Sequence, residues 1–417
     1  MSNSIPDADL IRFLRNEDDA SRSGTGERAG KTRVLFVYTN LGVGGIARSL
    51  IELLRVLEGS DLDITLYIRR DDVNELIGEI PSYVRLAVVR NSVKRVEFED
   101  NLRGRAAERT YALLRKKHAF AAKRFFEKYM RPIQRKREKD GLDRLGLSWD
   151  TAICYSTDGD DPVFVRDCVR AAKKYVFIHQ STALAEENID AMRDFDGVFT
   201  VNPALIPWAE QMLPGGPPVR AIENYVDPEK VLRLSKEQTV VLPGKRILAT
   251  SGRICLTKGY DFVIGAAKIL KERGVRFLWY WIGDGPDRAE MERRIEENGL
   301  GDDIEITGNL LNPFPYVAAC EVYIQPSRAE AFSLSVLEAM ILTRPVIATN
   351  TAGPAYLFEK YHCGTAVQTD AQSVADGILR LLENDEELEQ ERRALQSIDW
   401  AREREDYIRQ WTELLRS

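Results

Sequence analysis

Histidine is scarce in this 417-residue chain. His118, His179 and His362 are the full complement and lie far apart, which argues against a histidine-rich metal cluster and leaves carboxylates as the only plentiful cation ligands. The five cysteines, Cys154, Cys168, Cys255, Cys320 and Cys363, show no paired spacing, so the pattern suits a reducing compartment better than a disulfide framework. No run approaches the roughly 18 apolar residues that would span a bilayer. The polar opening MSNSIPDADL also lacks the charged and apolar regions of a signal peptide, making cytoplasmic residence the default expectation. An excess of basic charge is missing too: the net charge of -6 argues against nucleic acid as a partner.

What is present fits a soluble enzyme, with 44% hydrophobic and 30% charged residues over a length that one core does not usually organise. Two α/β domains are predicted. Residues 1–31 are polar and read as a mobile tail, with Ile5, Leu10, Ile11 and Leu14 able to form one amphipathic turn. The buried-type strand Val34–Tyr38, the loop TNLGVGG and the apolar-periodic helix IARSLIELLRVL make a Rossmann-like opening to a first domain over 32–240. Further strands are expected at 63–68, 151–155, 174–178 and 197–201. The pattern restarts around Thr239 to Gly244 in a second domain over 241–395, with strands at 246–250, 276–282, 303–307, 321–325 and 345–348. A last helix over 396–417 is expected to pack back on the first domain. Two doubly wound domains facing each other leave a cleft at the carboxyl ends of their strands, where ligands bind.

Residues 90–139 interrupt this rhythm with a basic helical insertion carrying Arg115, Lys116, Lys117, Lys123, Arg124, Arg131, Arg135, Lys136 and Arg137 among interspersed aromatics. Two readings stand: peripheral contact with an anionic membrane or acceptor, or a solvated helix packed on its own domain.

The chemistry concentrates in PSRAEAFSLSVLEAMILTRPVIAT. Glu330 falls in a loop after a strand and Glu338 in the next helix; a helix start near Ser333 or Ser335 would aim free amides into the cleft beside both acids, a seat for a diphosphate. The plainer alternative makes Ser335 and Glu338 a Ser-x-x-Glu capping box and Glu330 a surface acid. Arg253 and Lys258, in SGRICLTKG between a strand and a helix, add two cations able to neutralise phosphate charge as it grows in a transition state. Asp158-Gly159-Asp160 has the spacing of a metal-binding Asp-x-Asp but reads as a loop.

Through GRICLTKGYDFVIGAAKIL, WIGDGPDRAEME and PSRAEAFSLSVLEAMILTRPVIAT, in order across nearly the whole second half, the chain resembles the retaining glycosyltransferases of family 4 (glycosyl transferases group 1). Their fold is GT-B, two Rossmann-like domains facing across a cleft. The resemblance implies that Arg253 and Lys258 hold the donor diphosphate, that Glu330 faces the donor sugar and that Glu338 binds the ribose. It also implies that Phe332, Ser333 and Leu334 line the donor, with no obligatory metal or cofactor. In the first half it runs through GVGGIARSL, implying a donor contact for Gly44 and Gly45, and through YVFIHQST, where His179 would contact the transferred sugar. By themselves the glycines are equally suited to packing a helix on a strand, and a lone histidine to a structural role. Departures stand out: Ile46-Ala47-Arg48 lacks the acid that often follows the paired glycines, Ala331 and Ser333 replace glycines, and NTAGPAYLF lacks a common acid. Gly353 remains as a backbone amide for a phosphate.

The expectation is transfer of a sugar from a nucleotide diphosphate sugar, with uridine the first choice of base, to a saccharide or lipid-linked acceptor in bacterial surface polysaccharide or cell-wall glycan assembly, on the inner face of the membrane. The alternatives are an epimerase or hydrolase of nucleotide sugars, or a non-catalytic GT-B subunit of a membrane complex.

Overall fold

The computed structural model describes residues 11–13, 30–70, 73–89, 121, 125, 128, 129, 131–238, 240 and 244–416. The remainder of the expected tail and most of the basic insertion lie outside the described residues.

The first sheet has eight strands in the order β1-β4-β3-β2-β5-β6-β7-β8: Ile11–Phe13, Thr32–Tyr38, Leu62–Ile68, Arg85–Val89, Trp149–Cys154, Ala171–Ile178, Gly197–Thr200 and Val219–Ala221 in chain order. All pairs are parallel except β1 with β4. Residues 11–13 therefore depart from the predicted mobile tail: they pair antiparallel with β4, Ile11 opposite Val89. Strand β2 is buried on both faces, Val34 and Phe36 entering one core and Leu35 and Val37 the other, as a parallel sheet covered by helices requires. The described helices of this half are α1 (Gly45–Val56), α2 (Arg131–Arg144), α3 (Asp161–Cys168), α4 (Glu186–Met192), α5 (Ile206–Met212) and α6 (Pro228–Leu234).

The second sheet is wholly parallel, ordered β11-β10-β9-β12-β13-β14, from Arg246–Ser251 (β9), Phe277–Ile282, Ile304–Gly308, Val322–Gln325, Val346–Thr349 and Thr365–Val367 (β14). Its helices are α7 (Tyr260–Glu272), α8 (Arg288–Glu297), α9 (Phe314–Ala319), α10 (Leu334–Ile341), α11 (Ala352–Tyr361), α12 (Ala371–Glu383) and α13 (Asp385–Gln396). Helix α14 (Trp400–Arg416) then lays Tyr407, Trp411, Leu414 and Leu415 into the core of the first domain, while Val201, Leu205, Val226 and Val231 of the first half join the core of the second. The two domains thus trade apolar side chains at their junction.

Helix α2, the described end of the insertion, turns Glu138, Arg131 and Arg135 toward its own domain and leaves Lys136 and Lys139 exposed. Arg69 donates to Glu138 at 3.1 Å and to Asp160 and Asp161 at 2.8 Å each, and Arg131 and Arg135 reach Asp160 at 2.8 and 3.3 Å. Arg131 and Arg135 are therefore half-buried ion-pair partners of Asp160. Among the described residues no helix is long and apolar enough to cross one.

Candidate active site

The loop after β12 and the loop after β9 meet at the carboxyl edge of the second sheet. Gly259 permits the approach: it adopts φ +74°, and a Cβ there would stand 1.9 Å from the Pro326 carbonyl oxygen. Arg328 laces the two loops together, its amide donating to Thr257 O at 2.7 Å and its guanidinium to Leu256 O and both oxygens of Asp261 at 2.6 to 2.8 Å.

This lacing brings Lys258 and Glu330 into contact. Lys258 Nζ donates to Glu330 Oε1 at 2.6 Å, and the same oxygen accepts from Ser327 Oγ at 2.9 Å and Gln325 Nε2 at 3.1 Å. Gln325, buried at the end of an apolar strand, is itself oriented by Ser335 Oγ and Tyr323 OH, which donate to its Oε1 at 2.9 and 3.0 Å. Glu330 is thus a carboxylate aimed by three neighbours, not a surface acid. The capping box does not form either, because Ser335 is spent on Gln325.

Helix α10 begins at Leu334 with Ser333 as its N-cap, at φ +73° and without a side-chain cap. Its first intrahelical bonds run from Val336 N and Leu337 N to Ser333 O, so the amides of Leu334 and Ser335 have no partner inside the helix and point along its positive end. Gly44 and Gly45 cap the facing helix α1, and a Cβ on Gly45 would lie 3.8 Å from Leu334 Cδ1. The glycine loop and the start of α10 therefore form opposite lips of one cleft. Phe332 is buried against Gly353, where any Cβ would strike the Phe332 backbone at 2.5 Å. Gly353 N donates to Glu330 O at 3.0 Å, which corrects the expectation of a free amide for phosphate: that N–H is already engaged in holding the loop.

One turn into α10, Glu338 borders a cavity of about 330 Å³ shared with Arg48, Glu52, Tyr225, Lys230 and Leu311. Burial pushes its carboxyl up to about 7; Arg48 and Lys230 oppose the shift and Glu52 adds to it. Arg253, on the loop after β9 that also carries Lys258, is exposed. Its charge is felt across the cleft by Asp158, whose carboxyl is raised by loss of water and eased by Arg253.

His179, just past β6, lies with its ring 4.7 Å from that of Tyr155. Burial holds its imidazole at about 3, against a hydrogen bond to the Tyr155 backbone, and Nε2 is buried without a partner. It is a neutral hydrogen-bonding group. Asp160 of the Asp-x-Asp sequence is turned into the Arg69 network, so the two aspartates do not converge.

Sequence reasoning missed Gln325, Ser327, Arg328 and Asn202. Only Gln325 carried a local signal, an amide closing an otherwise apolar strand.

Residues 233–396 match the family model described as glycosyl transferases group 1. A 2-deoxystreptamine N-acetyl-D-glucosaminyltransferase from Niallia circulans is 34% identical over 149 residues, 34% of this chain and 38% of that protein. An alpha-D-kanosaminyltransferase from Streptomyces kanamyceticus is 33% identical over 148 residues, 35% of this chain and 38% of its own. The chain therefore spans 38% of the length of each of these curated relatives. Among solved structures, a variant of S. aureus TarM with fondaparinux, alpha-GlcNAc-glycerol and UDP superposes with a TM-score of 0.67 at 15% identity, covering 93% of this chain and 100% of that one. Sucrose-phosphate synthase from Thermosynechococcus elongatus gives 0.66 at 16% identity, covering 93% and 98%. At such identities the likeness establishes the fold: two Rossmann-like domains facing across a cleft, the GT-B architecture.

Proposed function

We propose that this chain transfers a sugar from a nucleoside diphosphate sugar, UDP-linked, to a saccharide or lipid-linked acceptor with retention of configuration. The observation that carries the reading is the Lys258–Glu330 pair at 2.6 Å beside the amino end of α10. A cation, an aimed carboxylate and unbonded helix amides at one cleft suit a diphosphate bound to a polyhydroxyl group. Relatives at lower identity point to glycan assembly: an Amylovoran biosynthesis glycosyltransferase of Erwinia amylovora and a Poly(ribitol-phosphate) alpha-N-acetylglucosaminyltransferase of Staphylococcus aureus, each 28% identical over part of the chain.

In this reading the diphosphate lies on the Leu334 and Ser335 amides with Lys258 and Arg253 as counter-charges, and Gly44 and Gly45 let the opposite backbone come close. Phe332 and Ser333 shape the sugar side. Glu330 accepts sugar hydroxyls, Glu338 accepts ribose hydroxyls, and neutral His179 hydrogen-bonds the transferred sugar. The bond from the anomeric carbon to the phosphate oxygen breaks while the acceptor oxygen bonds to that carbon on the same face. The acceptor's proton passes to the departing phosphate oxygen. Lys258 stabilises the charge that appears there, and no metal or cofactor is required for these steps. Contact with an anionic membrane falls to the part of 90–139 outside the described residues.

The test is release of free nucleoside diphosphate from a panel of nucleotide sugars, with and without mixed lipid-linked and saccharide acceptors. Glu330→Ala and Lys258→Ala should each lower kcat by roughly 100-fold or more, the usual loss for an electrostatic contact made in the transition state. Donor consumption that needs no acceptor would make the chain a hydrolase or epimerase. A chain that neither binds nor consumes any donor would be a partner subunit.

A further inference from the structure

Asn202 lies two residues beyond β7 in the first domain and is fully buried, yet two of its partners belong to the second. Its Nδ2 donates to the carbonyl of Ala331 at 3.1 Å and to that of Ala352 at 2.9 Å, while its Oδ1 accepts from Ala204 N at 2.8 Å. These partners fix the orientation of the amide, since carbonyls only accept and a peptide N–H only donates. No other side chain of this size offers two donors and one acceptor in that arrangement.

The two carbonyls flank the candidate site. Ala331 separates Glu330 from Phe332, and Ala352 precedes Gly353, whose N–H already holds Glu330 O. Asn202 therefore bridges the two loops that carry the sugar-facing carboxylate, and it does so from the opposite domain. Around it, Val201 and Leu205 pack into the core of the second domain with Phe332 and Leu357, so the contact sits on a packed pivot and not at the open mouth of the cleft.

We infer that Asn202 is a positioning residue for sugar transfer: by holding the Ala331 and Ala352 carbonyls it fixes the Glu330 loop relative to the first domain. The inference rests on the proposed function, because only a donor sugar at Glu330 makes that placement matter to turnover. Arg253 and Lys258 lie on the loop after β9, and Leu334, Ser335 and Glu338 are held within α10, so the nucleoside diphosphate end of the donor depends on the clamp less directly than Glu330 does. Its loss should show in kcat more than in donor binding, since a small displacement of a reacting group is costly in rate.

A purely structural role is the rival, because the same side chain caps the short 3₁₀ turn Pro203–Leu205. Asn202→Ser separates the two. A serine hydroxyl keeps an oxygen for Ala204 N, as serine does at helix starts, but is too short to bridge both carbonyls. Amide hydrogen exchange of the free protein and steady-state release of nucleoside diphosphate are measured for the native chain, Asn202→Ser and Asn202→Ala. In both variants exchange at Gly353 should quicken by roughly ten-fold or more while β9 and β12 keep native protection. With the donor that the native chain turns over, kcat should fall by about ten-fold or more with donor KM changed by less than about three-fold. Native exchange at Gly353 together with native kcat in Asn202→Ser would overturn the inference and leave Asn202 a turn cap. If the native chain consumes no donor, the proposed function fails and the positioning role with it, while Gly353 exchange still decides whether the clamp exists.

Discussion

At Glu338 the carboxyl titrates near neutrality, moved by burial from 4.5 to about 7, and this gives the proposed donor site a pH dependence of definite sign. Ribose hydroxyls donate to the charged form. Protonation removes acceptor capacity, so donor KM should be flat above roughly pH 8 and rise by about ten-fold per unit below roughly pH 6, as one titrating group dictates. Glu338→Gln should abolish that slope and leave KM raised and independent of pH; a slope that survives the substitution would assign the titration to another group. Stability runs the other way. A carboxyl raised in the folded state contributes stability that is fully present below the unfolded value of 4.5 and is lost as pH rises through about 7. Glu338→Gln should therefore raise Tm at pH 8 by about 2 to 4 °C for each kcal/mol recovered and change it little at pH 4. His179 enters no such profile, since burial keeps it neutral above about 3.

The turn that starts α10 shows the same tension between site and stability at the scale of an element. Ser333 is one of three non-glycine residues with positive φ among the described residues, at a position where the resemblance to family 4 implies glycine. A Cβ in that region costs about 1 to 2 kcal/mol, partly offset because glycine loses more entropy on folding. Ser333→Gly should thus stabilise the protein by roughly 0.5 to 1 kcal/mol in denaturant melts. A lower midpoint would show that the Ser333 hydroxyl, 3.4 Å from that of Ser335, matters more than the strain. The replacement of glycine was visible in the sequence, and so were the central strands of both sheets, where parallel strands covered on both sides leave unbroken apolar runs such as Val34–Tyr38. Strands β1, β4, β8 and β14 were not, because three to five residues at or near a sheet margin carry too little pattern to distinguish them from loops. In the candidate site, Lys258 and Glu330 were legible because each follows a strong strand within a recognisable motif. Their supports were not: Asn202 meets its partners 129 and 150 positions away, and no local spacing encodes such a contact.

The whole molecule is joined by a chain that crosses between its domains twice, once near Tyr225 and again before α14, and the crossings are tied together. Lys360 of α11 donates to Glu223 at 2.8 Å and to Glu403 at 2.6 Å, while Tyr225 stacks on Tyr407 with ring centroids 5.2 Å apart. Beyond this knot, Trp411 is buried in the first domain, its ring 4.6 Å from that of Phe177 and 6.0 Å from that of Phe36. The last helix thus completes the core of the first domain although it follows the second domain in sequence. Trp411→Ala leaves a large void there and should cost about 3 to 5 kcal/mol, borne by the first domain. Calorimetry should then resolve a transition lowered by roughly 10 °C from one left near its native temperature. Below the lower transition, UDP affinity measured by titration should stay near the native value, because Lys258, Glu330 and Glu338 all sit in the second domain. A single transition lowered as a whole would mean instead that the shared junction makes the two domains one cooperative unit, and that the strain of losing Trp411 reaches the donor site through the same residues that hold the crossings together.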